Sequence, residues 1–190
     1  LRKMKKAIPV IIAVVLIFAI VAITFGMKVV ERFSYSEERM DLNAYFGLTA
    51  DDEAALVIND EIREEKGTVR DGRCYLPLET VHMYLNDRFY ADYNEGWLLY
   101  TTPDEIIYAR AGEAGEEAYI PAYLEDGVMY VALDYVKKYT NFSYTLYTEP
   151  NRVVLTTVWD EHLAADIKKN TAVRYQGGIK SDILTEVSAG

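Results

Sequence analysis

A stretch of 32 residues occurs twice in this chain, and this repetition constrains the fold more than any other feature of the sequence. Residues 71–102 align without a gap to residues 126–157, 55 positions later. A fixed offset over such a length is the mark of a duplicated structural unit. The identical pairs are Asp71/Asp126, Gly72/Gly127, Tyr75/Tyr130, Leu78/Leu133, Val81/Val136, Tyr84/Tyr139, Asn86/Asn141, Thr101/Thr156 and Thr102/Thr157.

The order of local signals is the same in both copies. An Asp-Gly turn comes first and is followed by a β-type run, at 74–78 in one copy and 129–133 in the other. A short segment with apolar residues at helical spacing follows. Two β-rich runs joined by a tight turn then predict a hairpin. We therefore predict an α+β fold built from a duplicated strand–short helix–β-hairpin module.

The predicted helix of each copy presents the same face to a core. Its leucine and the valine three residues later share one side of a helix and should point inward, whereas the acidic residue after the leucine should be solvated. The matching asparagines lie at the predicted helix ends, where asparagine tolerates a left-handed conformation. These residues are Leu78, Glu79, Val81 and Asn86 in the first copy, and Leu133, Asp134, Val136 and Asn141 in the second.

This pattern resembles the copper amine oxidase N-terminal-like domain, a stalk module common on bacterial surface proteins. The shared features are the D-G-x-x-Y-h-x-L opening (h is hydrophobic), the helix after it and the closing hairpin, and the resemblance covers residues 54–158. It implies a non-catalytic stalk or interaction module. The family name does not imply copper.

An uncharged segment at residues 7–27 precedes the repeats and is long enough to cross a bilayer as a helix. Four basic residues and no acidic residue come before it, which predicts a single-pass protein with a cytoplasmic N-terminus and an extracellular C-terminal region. The competing interpretation is a cleaved signal peptide, but the segment is longer than a typical apolar signal region and no A-x-A site follows. We favour an uncleaved anchor in the lipid bilayer; a soluble core helix is the third alternative.

The rest of the chain is acidic. From Lys28 onward it contains 16 basic and 30 acidic residues. Such a charge repels nucleic acid, so we exclude nucleic acid as a partner. We interpret the acidity as favouring solubility rather than cation binding.

Three shorter segments complete the predicted organisation. Residues 28–53 form a juxtamembrane tether, and residues 159–170 form an acidic, amphipathic linker. Residues 171–190 contain V-R-x-x-G-G-I-K-S-x-I-L-T-x-V-x-x-G, which resembles the opening of a bacterial Src-homology-3-like domain. Such a barrel needs about three times as many residues. We therefore expect the chain to be a fragment that stops inside its next domain.

Within residues 54–158, the signals outside the two copies are weaker. We predict a buried strand at 54–60, a polar segment with a turn at 61–72, and strands at 105–109 and near 118–123. An isolated copy would bury little apolar surface, so we expect the two copies to pack together.

The whole arrangement resembles the N-terminal part of Gram-positive cell-envelope proteins, some of which continue into a chitinase-like family 18 glycoside hydrolase domain. The acidic D-x-x-D-x-D-x-E signature of that domain is absent from this sequence. Two functions stay open. One is a membrane-anchored, extracellular, non-catalytic stalk or interaction module; the other is the anchor region of a wall-acting hydrolase whose catalytic domain lies beyond Gly190.

Residues that carry catalysis or bind metals are scarce in the sequence. A catalytic copper site needs about three histidines, and the chain has only His82 and His162. We expect His82 to be a packed or surface side chain. Cys74 is the only cysteine and corresponds to Met129, which predicts a small buried hydrophobic side chain. Without a phosphate-loop, serine-nucleophile or zinc motif, we predict no catalytic residue, cofactor or metal site.

Exposed aromatic side chains are the candidates for contact with a wall polysaccharide or peptidoglycan. The first hairpin contains Tyr93, Trp97 and Tyr100, and the second contains Tyr144 and Tyr147. The alternative, which we favour, is that these rings pack across strands in the core.

Overall fold

The computed structural model of the chain describes residues 2–116, 118–159 and 165–190. The chain is a mixture of helices and strands with one long apolar helix at its N-terminal end, as the sequence predicts at this coarse level. It divides into two compact units. The first unit contains Leu1–Met40 and Ala165–Gly190, and the second contains Asp41–Ala164.

The elements follow one another in a simple order. In chain order they are α1 (Arg2–Phe33), α2 (Leu42–Phe46), β1 (Glu53–Ile58), β2 (Glu61–Arg70), β3 (Arg73–Pro77), α3 (Leu78–Tyr84), β4 (Phe89–Asp92), β5 (Trp97–Thr101), β6 (Ile106–Arg110), β7 (Ala122–Glu125), β8 (Val128–Ala132), α4 (Leu133–Val136), β9 (Ser143–Tyr147), β10 (Arg152–Thr156), β11 (Thr171–Arg174) and β12 (Ile183–Val187).

Helix α1 carries the apolar segment. Its part from Ile12 to Phe33 is long and apolar enough to cross a membrane, and these side chains are exposed. The hydroxyl of Thr24 donates to the carbonyl of Ile20 at 2.9 Å, so this polar group is satisfied within the helix. Length and composition of this kind suit an anchor and also a signal sequence.

The C-terminal hairpin of the first unit lies beside the segment that follows α1. The amide of Met40 donates to the carbonyl of Ile183 at 2.9 Å, and the amide of Ile183 donates to the carbonyl of Glu38 at 2.8 Å. Arg39 and Glu186 form an ion pair at 2.6 Å. Residues 36–40 therefore act as an added strand segment against β12, and the predicted tether 28–53 is shared between the two units.

A seven-stranded sheet forms the body of the second unit. Its strand order is β7-β8-β3-β2-β1-β10-β9, and every neighbouring pair is antiparallel except β1 and β10. At its centre, Leu76 of β3 lies opposite Val131 of β8. These two positions match each other in the two copies, and their flanking pairs, Tyr75/Ala132 and Pro77/Tyr130, exchange with each other when the copies are exchanged. The two first strands thus meet in a symmetric register.

The turns before these strands explain why Asp-Gly opens both copies. Asp71 and Gly72 have φ values of 49° and 72°, and Asp126 and Gly127 have 49° and 77°. Two successive positive φ values define the tight hairpin turn that suits the twist of antiparallel strands, and Asp-Gly adopts it readily. Through these turns β2 pairs with β3 and β7 pairs with β8.

Two predictions about the strands were wrong. Residues 61–70 form the ten-residue strand β2 instead of a polar segment with a turn, because β2 is bonded on both sides, to β1 and to β3. The strand expected near 118–123 is instead Ala122–Glu125, so it begins later. The predicted linker 159–170 lies partly outside the described residues.

The two hairpins belong to different sheets. The hairpin β9–β10 completes the seven-stranded sheet through β1. The hairpin β4–β5 forms a separate three-stranded sheet with β6, in the order β4-β5-β6. The elements thus occur in the predicted order in both copies, while their descent from one duplicated module stays a prediction.

The inward-facing side chains of the helices confirm the predicted faces. Leu78, Val81, Leu133 and Val136 are all buried, and Glu79 is exposed. The expectation that Asp134 is solvated was wrong, because its carboxylate accepts hydrogen bonds from Arg73 and Tyr144 across the fold.

The asparagine at the end of α3 also has a different role from the predicted one. Asn86 and Asn141 do not have positive φ values. Instead, the side-chain amide of Asn86 donates to the hydroxyl of Thr140 at 2.7 Å and to the carbonyl of Tyr139 at 3.4 Å. It therefore joins the two copies, where a long-range contact outweighs the local preference.

Candidate functional site

The three-stranded sheet buries one face and exposes the other, because successive side chains along a strand point to opposite sides. Its inner face contributes Phe89, Leu98, Tyr100 and Ala109 to the core, and all four are buried. The ring of Phe89 lies 4.8 Å from that of Tyr100, measured between centroids. This packing fixes which side chains remain on the outer face.

The outer face carries a row of apolar side chains across all three strands. Tyr90 of β4 pairs with Leu99 of β5, which pairs with Tyr108 of β6. Tyr90 is 53% exposed and Tyr108 is 58% exposed. In the neighbouring row, Trp97 lies half-buried between its strand partners. We call Tyr90, Trp97, Leu99 and Tyr108 the aromatic face.

The rings of the aromatic face are held by specific contacts. The ring of Tyr108 meets that of Trp97 edge to face, with 6.2 Å between centroids and an angle of 83°. The guanidinium of Arg110 lies 5.3 Å from the centroid of Trp97, a distance typical of a cation–π contact. Its Nε is 3.4 Å from a carboxylate oxygen of Glu113. Trp97 therefore sits in a defined orientation beside a paired cation.

A groove runs along β6, next to the aromatic face. It has a volume of about 330 Å³ and an opening to solvent. Its lining includes Trp97, Tyr108 and Arg110 of the sheet, Glu113 and Glu116 of the loop that follows β6, and the rings of Tyr135 and Tyr139. The groove thus combines aromatic rings with both hydrogen-bond donors and acceptors, which is the composition of sites for small polar molecules.

The predicted wall-contact residues do not form one surface. Trp97 lies on the aromatic face, and Tyr93 is exposed at the β4–β5 turn. Tyr100 is 7% exposed and stacks on Tyr139 with 4.2 Å between ring centroids, so it belongs to the core.

The two candidate tyrosines of the second hairpin stand on opposite faces of β9. The hydroxyl of Tyr144 donates to Asp134, and burial together with this carboxylate raises the pKa of Tyr144. Tyr147 is exposed, and the guanidinium of Arg152 lies 4.6 Å from its ring centroid. Tyr144 is therefore a half-buried side chain that packs against the core, and the ring of Tyr147 lies on the surface.

Sequence reasoning missed Tyr90 and Tyr108, which complete the surface around Trp97. Tyr90 could have been found from alternation, because it lies on the same side of β4 as the strand partner of Trp97, Asp92. Tyr108 could not, because its place opposite Leu99 depends on the pairing of β6 with β5, which is a tertiary contact.

A second groove, of about 430 Å³, lies where residues 48–53 meet residues 148–151. Three acidic residues line it, Asp51, Glu53 and Glu149, and the carboxylate of Glu53 is hydrogen-bonded within the loop. The carboxylate of Glu53 accepts hydrogen bonds from the amide of Thr49 at 2.6 Å and from that of Ala50 at 3.2 Å. These bonds, led by the one from Thr49, lower the pKa of Glu53. The carboxylate of Glu53 therefore holds the loop at residues 49–53 together and is not free to bind a ligand.

The single cysteine is a core residue, as predicted. Cys74 is buried, and burial raises the pKa of its thiol to about 12. The thiol stays protonated at neutral pH, and a protonated thiol is a poor nucleophile. A Cβ placed on Gly67 would come within 2.9 Å of its sulfur, so the space beside Cys74 is closed by close packing of β2 and β3.

His82 is exposed, with Nε2 2.6 Å from the carbonyl oxygen of Phe89. Among residues 2–116, 118–159 and 165–190, no three metal-ligating side chains of the His, Cys, Asp or Glu type come together. The chain matches no protein-family model, no curated protein and no solved structure.

Proposed function

We propose that this chain is a membrane-anchored, extracellular, non-catalytic interaction module of a bacterial cell envelope. The observation that carries the proposal is the apolar helix from Ile12 to Phe33, whose side chains are exposed, whereas the second unit buries its apolar side chains in a core. Exposing so many apolar side chains to water is unfavourable. A bilayer core removes this surface from water and matches the length of the helix.

The charges around the helix support the orientation. Arg2, Lys3, Lys5 and Lys6 precede it, and the chain beyond Lys28 is acidic overall. Basic residues are retained on the cytoplasmic side, which leaves the residues that follow the helix outside.

The chain leaves the first unit after Met40 and re-enters it at Ala165. Residues 36–40 bond to Ile179 and Ile183, so the chain returns after the second unit to the segment that follows α1. Met40 follows Phe33, the end of α1, by seven positions, a reach of at most about 24 Å. The second unit is thus an insertion in the chain between the two parts of the first unit.

The proposal is tested by the topology of the full chain in bacterial cells. Protease added to intact cells should remove the folded units, and the N-terminal segment should stay with the membrane pellet. A variant with Arg2, Lys3, Lys5 and Lys6 changed to glutamate should lose this uniform orientation. Protection of the folded units in intact cells would reverse the topology. A mature protein that begins near residue 27 would replace the anchor with a signal peptide.

The anchor region of a glycoside hydrolase remains the alternative. It predicts the same topology for these residues. The coding sequence downstream of Gly190 separates the two, because only the alternative requires a D-x-x-D-x-D-x-E signature there.

A further inference from the structure

We propose that the aromatic face and the groove beside it bind a glycan chain of pyranose rings that carries no acidic groups. This inference rests on the proposed function and names the class of ligand for it.

The geometry suits stacking against sugar rings. The faces of aromatic rings carry partial negative charge, and the C–H groups on the flat side of a pyranose carry partial positive charge, so the two attract. Tyr90 and Tyr108 flank Leu99 on the outer strands of the sheet. Outer strands of a three-stranded sheet lie about 10 Å apart, two strand spacings. Two rings of one glycan chain can therefore contact the two tyrosines at once.

Polar side chains stand where the hydroxyl groups of such a chain would lie. Arg110, held between Trp97 and Glu113, offers donors, and the carboxylates of Glu113 and Glu116 offer acceptors. Hydroxyl groups of sugars both donate and accept hydrogen bonds, so they can use both kinds of partner.

The charge of the surface selects against anionic polymers. The second unit contains 24 acidic and nine basic residues, whereas the first unit from Lys28 onward contains six acidic and seven basic residues. The rim of the three-stranded sheet follows the same trend. Its exposed acidic residues are Glu95, Asp104, Glu105, Glu113 and Glu116. A field of this sign repels uronate and phosphate polymers and tolerates neutral or amino sugars.

The size of the surface favours a chain ligand over a folded protein. Strands β4, β5 and β6 have four, five and five residues. They present a face of roughly 230 Å², from a rise of about 3.4 Å per residue and a spacing of about 4.8 Å. A stable protein interface buries about 800 Å² on each partner. The aromatic face is therefore too small to serve alone as the interface with a second copy or another globular protein.

The test is a binding titration of the full chain in detergent micelles with the tetrasaccharide of N-acetylglucosamine. The chain has two tryptophans, Trp97 and Trp159. In a Trp159→Phe background, the fluorescence of Trp97 alone reports the site. We expect saturable binding, weakened about tenfold or more by Tyr108→Ala and by Tyr90→Ala. The glucosamine tetrasaccharide should bind, and the galacturonic acid tetrasaccharide should not.

The matched control is Tyr147→Ala, which removes an exposed tyrosine from the other hairpin and should change the affinity less than twofold. Circular dichroism verifies that each variant is folded.

The proposal is overturned if neither amino-sugar probe binds at millimolar concentration, if Tyr147→Ala weakens binding as much as Tyr108→Ala, or if the galacturonate probe binds best. Loss of self-association in Tyr108→Ala without any glycan binding would assign the face to a second copy. Binding in micelles does not depend on topology, so this outcome and the topology result are independent.

Discussion

The two hairpins that follow α3 and α4 share their inner faces and differ in their outer faces. At matching positions, 55 residues apart, the inner faces of both hairpins are apolar. The matching inner pairs are Phe89/Tyr144, Ala91/Leu146, Leu98/Val153 and Tyr100/Leu155. Both hairpins therefore meet the same requirement: their inner faces supply apolar side chains that fill the core.

The outer faces show no such agreement. Where the first hairpin has Tyr90, Trp97 and Leu99, the second has Thr145, Arg152 and Val154. Both hairpins form with the same antiparallel pairing and the same length of β-turn segment. Aromatic rings at the positions of Tyr90 and Trp97 are therefore unnecessary for building the hairpin, and their presence at these positions in the first copy alone points to a role outside folding.

The largest difference between inner and outer positions should appear at Phe89. Phe89 is fully buried and contacts the rings of Tyr100, Tyr135 and Tyr139. Phe89→Ala should lower the free energy of unfolding by about 3–5 kcal/mol, since it removes a large side chain and leaves a cavity. Urea unfolding of the full chain in micelles measures this. A loss below about 1 kcal/mol would mean that the three-stranded sheet does not depend on its inner face.

The helix positions test whether the two copies share one packing arrangement. Leu78→Ala and Leu133→Ala should each cost about 2–5 kcal/mol, because both leucines are buried. Glu79→Ala, at the exposed position next to Leu78, should lower the free energy of unfolding by less than about 0.5 kcal/mol. Thermal or urea unfolding compares the three variants. If only one leucine variant lost much stability, the two helices would pack differently in the two copies.

The elements that depend on local signals could be predicted from the sequence, whereas those that depend on tertiary contacts could not. Alternation and helical spacing identify β3, α3 and the hairpins, because those signals lie within a few residues. The strand β2 was missed because charged residues such as Glu61 and Glu64 hide its pairing, which is supplied by β1 and β3.

The candidate site shows the same limit. Trp97 was identified as an exposed aromatic candidate, but its neighbour Tyr108 comes from a strand whose partner the sequence does not reveal. Tyr100 was grouped with Trp97 although an odd spacing puts the two on opposite faces of β5, and the structure buries it. Which hairpin pairs with β6 and which with β1 is likewise a long-range choice.

The acidic position that follows the leucine in each helix should also separate the two copies. Asp134 accepts hydrogen bonds from Arg73 and Tyr144, whereas Glu79 is exposed. Asp134→Ala should cost about 1–2 kcal/mol, since it leaves the partly buried guanidinium and hydroxyl without this acceptor. The Tyr144→Phe variant removes only one of these bonds and should cost less. If Asp134→Ala and Glu79→Ala had equal effects on urea unfolding, the network would not contribute to stability.

The smallest effect on stability is expected from exchanging the outer faces themselves. Tyr90→Thr places in the first hairpin the residue that the second has at Thr145, and Thr145→Tyr makes the reverse change. Both positions are exposed, so each variant should change the free energy of unfolding by less than about 0.5 kcal/mol. Glycan affinity should nevertheless fall about tenfold in Tyr90→Thr, because one of the two stacking rings is gone. Thr145→Tyr should gain no affinity, since its neighbours Val154 and Arg152 supply no second ring across the strands. A cost above about 2 kcal/mol for Tyr90→Thr would instead make this tyrosine part of the packing, and the contrast between the two outer faces would then reflect folding rather than binding.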